Sequence, residues 1–159
     1  MKSPAGGQQL PLAPRTAARI AAIQALYQMD IAGTDLNDVL VEFATLRFGS
    51  AADDPVLADA DRDFFRSLVQ GVMRRQREID PLIDGQLAEG WRLTRIDSIL
   101  RAILRAGTLE LVERKDVPVR VVITEYVNAA HAFLGDEEPR VVNGVLDKLA
   151  RKLRKDEIS

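Results

Sequence analysis

From Arg15 onward, apolar residues return at intervals of three and four. Ala18, Ala22, Ile23, Ala25, Leu26 and Met29 trace one face of a helix, and Gly33 supplies its stop. Asp35 is placed to cap a second helix whose Leu36, Val39, Leu40, Phe43 and Leu46 share a face as far as Gly49. The stretch GSAADDP, residues 49–55, reads as a loop. A third helix opens at Asp59 or Asp61 and turns Phe64, Phe65, Leu68, Val69, Val72 and Met73 inward. The residue before a proline resists the helical conformation, so a break is predicted around Glu78 to Pro81. A short helix through Leu82, Ile83 and Leu87 follows it. Thr94 is placed to cap the strongest pattern, Ile96, Ile99, Leu100, Ile103, Leu104, Gly107 and Leu111. Pro118 suits the first turn of a helix running through Val122, Ile123, Tyr126, Val127, Ala130 and Phe133 to Gly135. Pro139 opens the last helix, with Val142, Val145, Leu146 and Leu149 inward.

The valine-rich stretch from Val117 to Ile123 competes as a strand, but Pro118 and the helical period that follows demote it. The reading is therefore an all-α chain of about seven helices in two packed bundles. A leader occupies residues 1–14, where prolines and glycines outweigh apolar content, and reads as disordered. One helical domain occupies residues 15–155, with subdomains of about 15–78 and 79–155. Gly71, Gly107 and Gly144 fall inside predicted helices, where each costs about 1 kcal/mol relative to alanine. Close helix crossings are the ordinary reason for such glycines. Gly144, beside Asn143 and a basic tail, also invites reading as bare backbone turned toward a ligand.

The 159 residues are 47% hydrophobic and 29% charged, which fits one globular domain. No apolar run is long enough to span a membrane, and the first fourteen residues lack the apolar core of a secretory signal. A cytoplasmic protein is expected. The chain has no cysteine and one histidine, His131. Disulfides, thiol nucleophiles, zinc ribbons and most histidine chemistry are thereby removed. No nucleophile elbow, phosphate-binding loop, dinucleotide turn or HExxH helix is present. The dense acids Asp53, Asp54, Asp59, Asp61 and Asp63 lack the alternating ligands and turn glycine of a calcium loop. No enzyme, cofactor or metal is expected.

Charge is distributed unevenly. Residues 1–29 hold Lys2, Arg15 and Arg19 and no acid, a net of +3. Residues 30–64 hold nine acids against Arg47 and Arg62, a net of −7. Residues 140–155 hold six cations against Asp147, a net of +5. Two basic ends around an acidic segment point to contact with a polyanion. The plain alternative is that Arg140 and Lys148 only offset Glu137, Glu138 and Asp147 beside them.

The segments ARIAAIQALYQMD (18–30), FFRSLVQGV (64–72), ILRAILRAGTLELVERKDVPVRVVITEYVNAAHAF (99–133) and VVNGVLDKLA (141–150) resemble the NusB family in order and spacing. The resemblance covers nearly all of residues 15–154. It implies an all-helical domain that binds the boxA element of nascent transcripts together with NusE, a small-subunit ribosomal protein, in antitermination of ribosomal RNA operons. RNA polymerase and other antitermination factors would be engaged indirectly. RNA contacts are implied at the start of the first and last helices, here Arg15, Arg19 and Tyr27, then Arg140 and Lys148. Two departures stand out. Family members often carry a dense arginine run before the first helix, where this chain has only Arg15 and Arg19. Many also carry phenylalanine before VNGVLDK, where this chain has Val141.

Planar groups for base stacking are scarce: Tyr27, Trp91, Tyr126 and five phenylalanines, most of the latter on apolar stripes. Weak RNA binding by the isolated domain, strengthened by a protein partner, is the expectation. Arg15 and Arg19 are expected to join Arg140 and Lys148 in one positive strip. Two alternatives of other classes remain open: an interaction module of a ribosomal RNA methyltransferase, and a homodimeric helical protein with a masked RNA role.

Overall fold

The computed structural model describes residues 11–51 and 55–158, and every regular element among them is helical. In chain order these are α1 (Pro14–Ala32), α2 (Leu36–Glu42), α3 (Arg62–Asp84), α4 (Ser98–Glu113), α5 (Val119–Phe133), α6 (Glu138–Leu153) and α7 (Lys155–Ile158). Most of the expected leader, residues 1–10, and the acids Asp53 and Asp54 lie outside the described residues. Two compact units, Met1–Ser67 and Leu68–Ser159, divide the chain inside α3 rather than near residue 78. None of the described helices is long and apolar enough to cross a membrane.

In the first unit, Gly33 ends α1 in the left-handed conformation at φ 69° and donates its N–H to the Met29 carbonyl. The Asp35 carboxylate accepts from the Asn37 N–H and caps α2. After Glu42 the chain widens into a π-helical turn, Phe43–Arg47. A wider turn places residues five apart on one side, so Phe43 and Phe48 are both buried, while Leu46, expected inside, is 56% exposed. Phe43 stacks on Phe65 at 5.3 Å, and Phe48 meets Phe65 edge-on at 5.0 Å. Asp61, rather than Asp59, opens α3: its carboxylate accepts from the Phe64 N–H at 3.0 Å.

In the second unit, the predicted break at Pro81 is absent, and α3 continues through it to Asp84. Ile79 and Ile83, on one face either side of the proline, are completely buried. Arg105 grips Asp80 with two bonds of 2.9 Å. Two buried isoleucines and a bidentate ion pair outweigh the proline cost of about 3 kcal/mol. The predicted separate helix through Leu87 therefore does not exist. Residues 85–97 form turns instead, and Asp97, not Thr94, caps α4 by accepting from the Ile99 and Leu100 N–H groups. The count of seven helices survives only because the short α7 replaces the lost one.

Helices α4, α5 and α6 pack on one another around Leu100, Ile103, Leu104, Val122, Tyr126, Val142, Leu146 and Leu149. A Cβ at Gly71 would run into the Leu109 side chain, and one at Gly107 would lie 2.9 Å from Leu146 Cδ1 and 3.3 Å from Tyr126. Both are close crossings of the expected kind.

The C-terminus of α4 is closed by one residue from far downstream. Arg154 is 4% exposed. Its guanidinium donates to the carbonyls of Glu110 (2.9 Å), Leu111 (2.9 Å), Arg114 (2.7 Å) and Val117. Carbonyls at a helix end have no partner within the helix and carry the negative end of its dipole. A planar cation with five donors suits that position. Glu157 completes the arrangement by accepting from Arg154 at 3.1 Å and from the Val119 N–H, at the start of α5, at 2.7 Å.

Candidate nucleic-acid interface

The five residues singled out from the sequence have different fates. In the first unit, the Arg15 guanidinium lies 4.5 Å from the Phe64 ring centre and 3.8 Å from the Asp61 carboxylate, with 43% of its side chain exposed. Arg19 is only 4% exposed, and its guanidinium lies 5.0 Å from the same ring. Residues 19, 23 and 26 follow the helical period, so Arg19 stands in register with buried Ile23 and Leu26. This burial takes Arg19 out of the solvent-facing set expected from the sequence. Tyr27 is on the outside at 37% exposure.

In the second unit, Arg140 and Lys148 are both exposed. Neither has an ion-pair partner among the described residues; Asp147 instead pairs with Arg151 at 3.0 Å. The two cations are thus not neutralised by Asp147. Arg140, Gly144 and Lys148 lie at i, i+4 and i+8 along α6, a single row on the helix surface. At its centre Gly144 differs from the other two interior glycines: a Cβ there would meet nothing within 4 Å. The row is two positive side chains with a notch between them.

A groove opens on each side of that notch. One, of about 560 Å³, is lined by Val127, His131, Asp136, Arg140, Asn143 and Gly144. The other, about 130 Å³, is walled by Gln86, Leu87 and Trp91 from the turn segment and by Arg140, Val141, Gly144 and Lys148 from α6. Arg140 and Lys148 are the only charged residues lining the smaller groove. No cluster of histidine and carboxylate side chains among the described residues could hold a metal ion.

The description of the NusB family fits residues 16–151. The transcription antitermination protein NusB of Sinorhizobium fredii is 55% identical over 140 residues, 88% of each chain. That of Bradyrhizobium diazoefficiens is 51% identical over 156 residues, 98% of this chain and 94% of the relative. The chain belongs to the NusB family. Among solved structures, NusB of T. maritima superposes with a TM-score of 0.75 at 28% identity, covering 99% of both chains. A crystal structure of antitermination factors NusB and NusE with double-stranded RNA holds a chain of the same fold, TM-score 0.69 at 23% identity, covering 86% of this chain and 96% of that one.

Within this NusB-family chain, the fold gives Trp91 and Arg154 places that the sequence analysis does not assign them. Trp91 is one of several scarce aromatics there, and only the fold sets it across from Arg140 and Lys148. Arg154 reads as part of a basic tail, whereas it is committed to backbone carbonyls. A signal exists for Arg154: it follows Leu146 and Ala150 at steps of four, on the buried side of α6.

Proposed function

We propose that this protein is an RNA-binding transcription antitermination factor, not an enzyme. It binds boxA-type RNA jointly with a NusE-type ribosomal protein and supports transcription of ribosomal RNA operons in the cytoplasm. RNA polymerase and the remaining antitermination factors are engaged through that assembly. Family membership supplies the class of function, and the Arg140–Gly144–Lys148 row, exposed and without ion-pair partners among the described residues, is the observation that supports assigning it to these residues. Arg15 and Tyr27 of the first unit are a second set of contacts, whereas buried Arg19 serves the packing of α1. Unpaired cations on a helix attract phosphates at little desolvation cost and make binding depend on salt.

The test is gel filtration of the protein with a NusE-type partner and a short single-stranded boxA-type RNA. A ternary complex, tighter for the boxA sequence than for a scrambled one, is the expected result. No RNA retention at low salt, with or without the partner, refutes the proposal. The elution volume of the free protein reports monomer or homodimer in the same experiment.

A further inference from the structure

We infer that Trp91 is the base-stacking residue of the RNA site, placed so that Arg140 and Lys148 hold phosphates on either side of the Gly144 notch. The inference deepens the RNA-binding reading above and rests on it.

Three observations support it. First, the smaller groove combines an aromatic wall with two cations, while no carboxylate lines it. A ligand that fits must offer planar apolar groups alternating with negative charges, which is the repeat of a single-stranded nucleic acid. Gln86 adds one neutral side chain that can both donate and accept, as a base edge requires.

Second, the tryptophan is held in place before any ligand arrives. Its backbone N–H donates to the Ala88 carbonyl at 2.9 Å. Gly90, immediately before it, takes φ 91°, a conformation that glycine adopts without strain. Leu93 is 2% exposed, its N–H donates to the Asp84 carboxylate at 2.9 Å, and its carbonyl accepts from Arg101 at 2.9 Å. A turn anchored this way presents an aromatic surface with little ordering left to lose on binding.

Third, the α6 wall of this groove offers Val141 and Val145, and neither is aromatic. Valine has no face on which a base can stack. Trp91 is the one aromatic side chain among the residues that line the groove, so stacking there falls to it.

Trp91 is the only tryptophan in the sequence, so intrinsic emission reports on this groove alone. The experiment titrates a short single-stranded boxA-type RNA into the full chain. It follows tryptophan emission and, in parallel, the anisotropy of end-labelled RNA. Emission is expected to be quenched with the same midpoint as the anisotropy change. Trp91→Leu is expected to weaken binding about 5- to 150-fold, the range of one base–aromatic stack, with the salt slope unchanged. Trp91→Phe should keep most of the affinity. Gly144→Leu fills the notch where space is open, leaves the helix intact by circular dichroism, and should weaken binding with Trp91 still in place. RNA that binds while emission stays constant and Trp91→Leu and Gly144→Leu bind normally overturns the inference and leaves the RNA function standing. Emission that responds to the NusE-type protein or an acidic peptide, and not to RNA, assigns the groove to a polypeptide and also overturns it. Absence of any RNA binding at low salt removes both the function and the inference.

Discussion

The basic ends of α1 and α6 look alike in sequence and behave differently in the fold. On α1, Arg19 is in register with Ile23 and Leu26, is buried, and lies over Phe64 beside Arg15. On α6, Arg140 and Lys148 lie off the stripe of Val142, Val145, Leu146 and Leu149, in solvent and without ion-pair partners among the described residues. Arg154 repeats the lesson within one helical region: six residues beyond Lys148, it returns to the buried side and closes the end of α4. The phase of a cation relative to the apolar stripe, more than the number of cations in a segment, decides whether it supports the fold or is offered to a ligand. A net charge of +5 over residues 140–155 therefore overstates what that end presents.

The contrast can be broken by mutation, and the largest effect should come from the most enclosed cation. Arg154→Ala removes the donor to four carbonyls and should cost about 3–4 kcal/mol in urea denaturation. Arg154→Lys should recover little, because one ammonium cannot reproduce the fork. A loss below about 1 kcal/mol would show that water satisfies those carbonyls equally well.

Interior glycines sharpen the same distinction between packed and open surface. Gly107→Leu should destabilise by about 1–3 kcal/mol, because even its Cβ is crowded by Leu146 and Tyr126. Gly144→Ala, with nothing near its Cβ, should instead stabilise by up to about 1 kcal/mol. Equal and opposite results would place the close crossing at the wrong glycine.

Next come the exchanges that separate supporting from offered charge. Arg140→Glu with Lys148→Glu should weaken RNA binding and reduce the salt slope by about 0.7 for each phosphate no longer neutralised. The melting temperature of this double variant should stay near that of the parent. Arg19→Gln should do the reverse, lowering stability by about 1–2 kcal/mol while the salt slope is kept. Arg77→Glu, an exposed change on α3, serves as the control.

The smallest effect concerns pH. The Val119 N–H, followed by the neighbouring Arg154, holds the Glu157 carboxyl below its ordinary value of 4.5, and desolvation opposes this only in part. A carboxylate lowered in the folded state contributes stability that is complete above the unfolded value and is lost as pH falls through the folded one. Glu157→Gln should therefore flatten the acid limb of the stability curve below about pH 4.5 and leave neutral pH nearly unchanged. An unaltered acid limb would mean that Val119 finds another acceptor.

The all-helical class, the Gly33 stop and the Asp35 cap are legible in the sequence because each depends on neighbours within one or two turns, and the packed Gly107 because a glycine inside a helix ordinarily marks a close crossing. Pro81 misleads because its local cost is overruled by Ile79, Ile83 and the Arg105 fork, which the chain brings together only on folding. Leu46 misleads because a π-helical turn resets the period after Glu42, and no local residue announces it. At the candidate site, Arg140 and Lys148 come from the family resemblance, since charge alone does not separate them from Arg151, Lys152, Arg154 and Lys155. The Trp91 wall comes from neither, since it depends on a turn segment about fifty residues upstream docking beside α6.

The bonds of Arg154 to carbonyls 37 to 44 residues earlier also bear on quality control. A chain released before that codon would hold every large apolar residue of α4, α5 and α6, and would collapse. Yet it would leave the Leu111 and Val117 carbonyls without the Arg154 donor, and the Val119 N–H at the start of α5 without Glu157. Limited proteolysis should therefore cut such a product at residues 111–119 faster than it cuts the full chain. One arginine thus ties the last residues of the helical domain to the junction between α4 and α5.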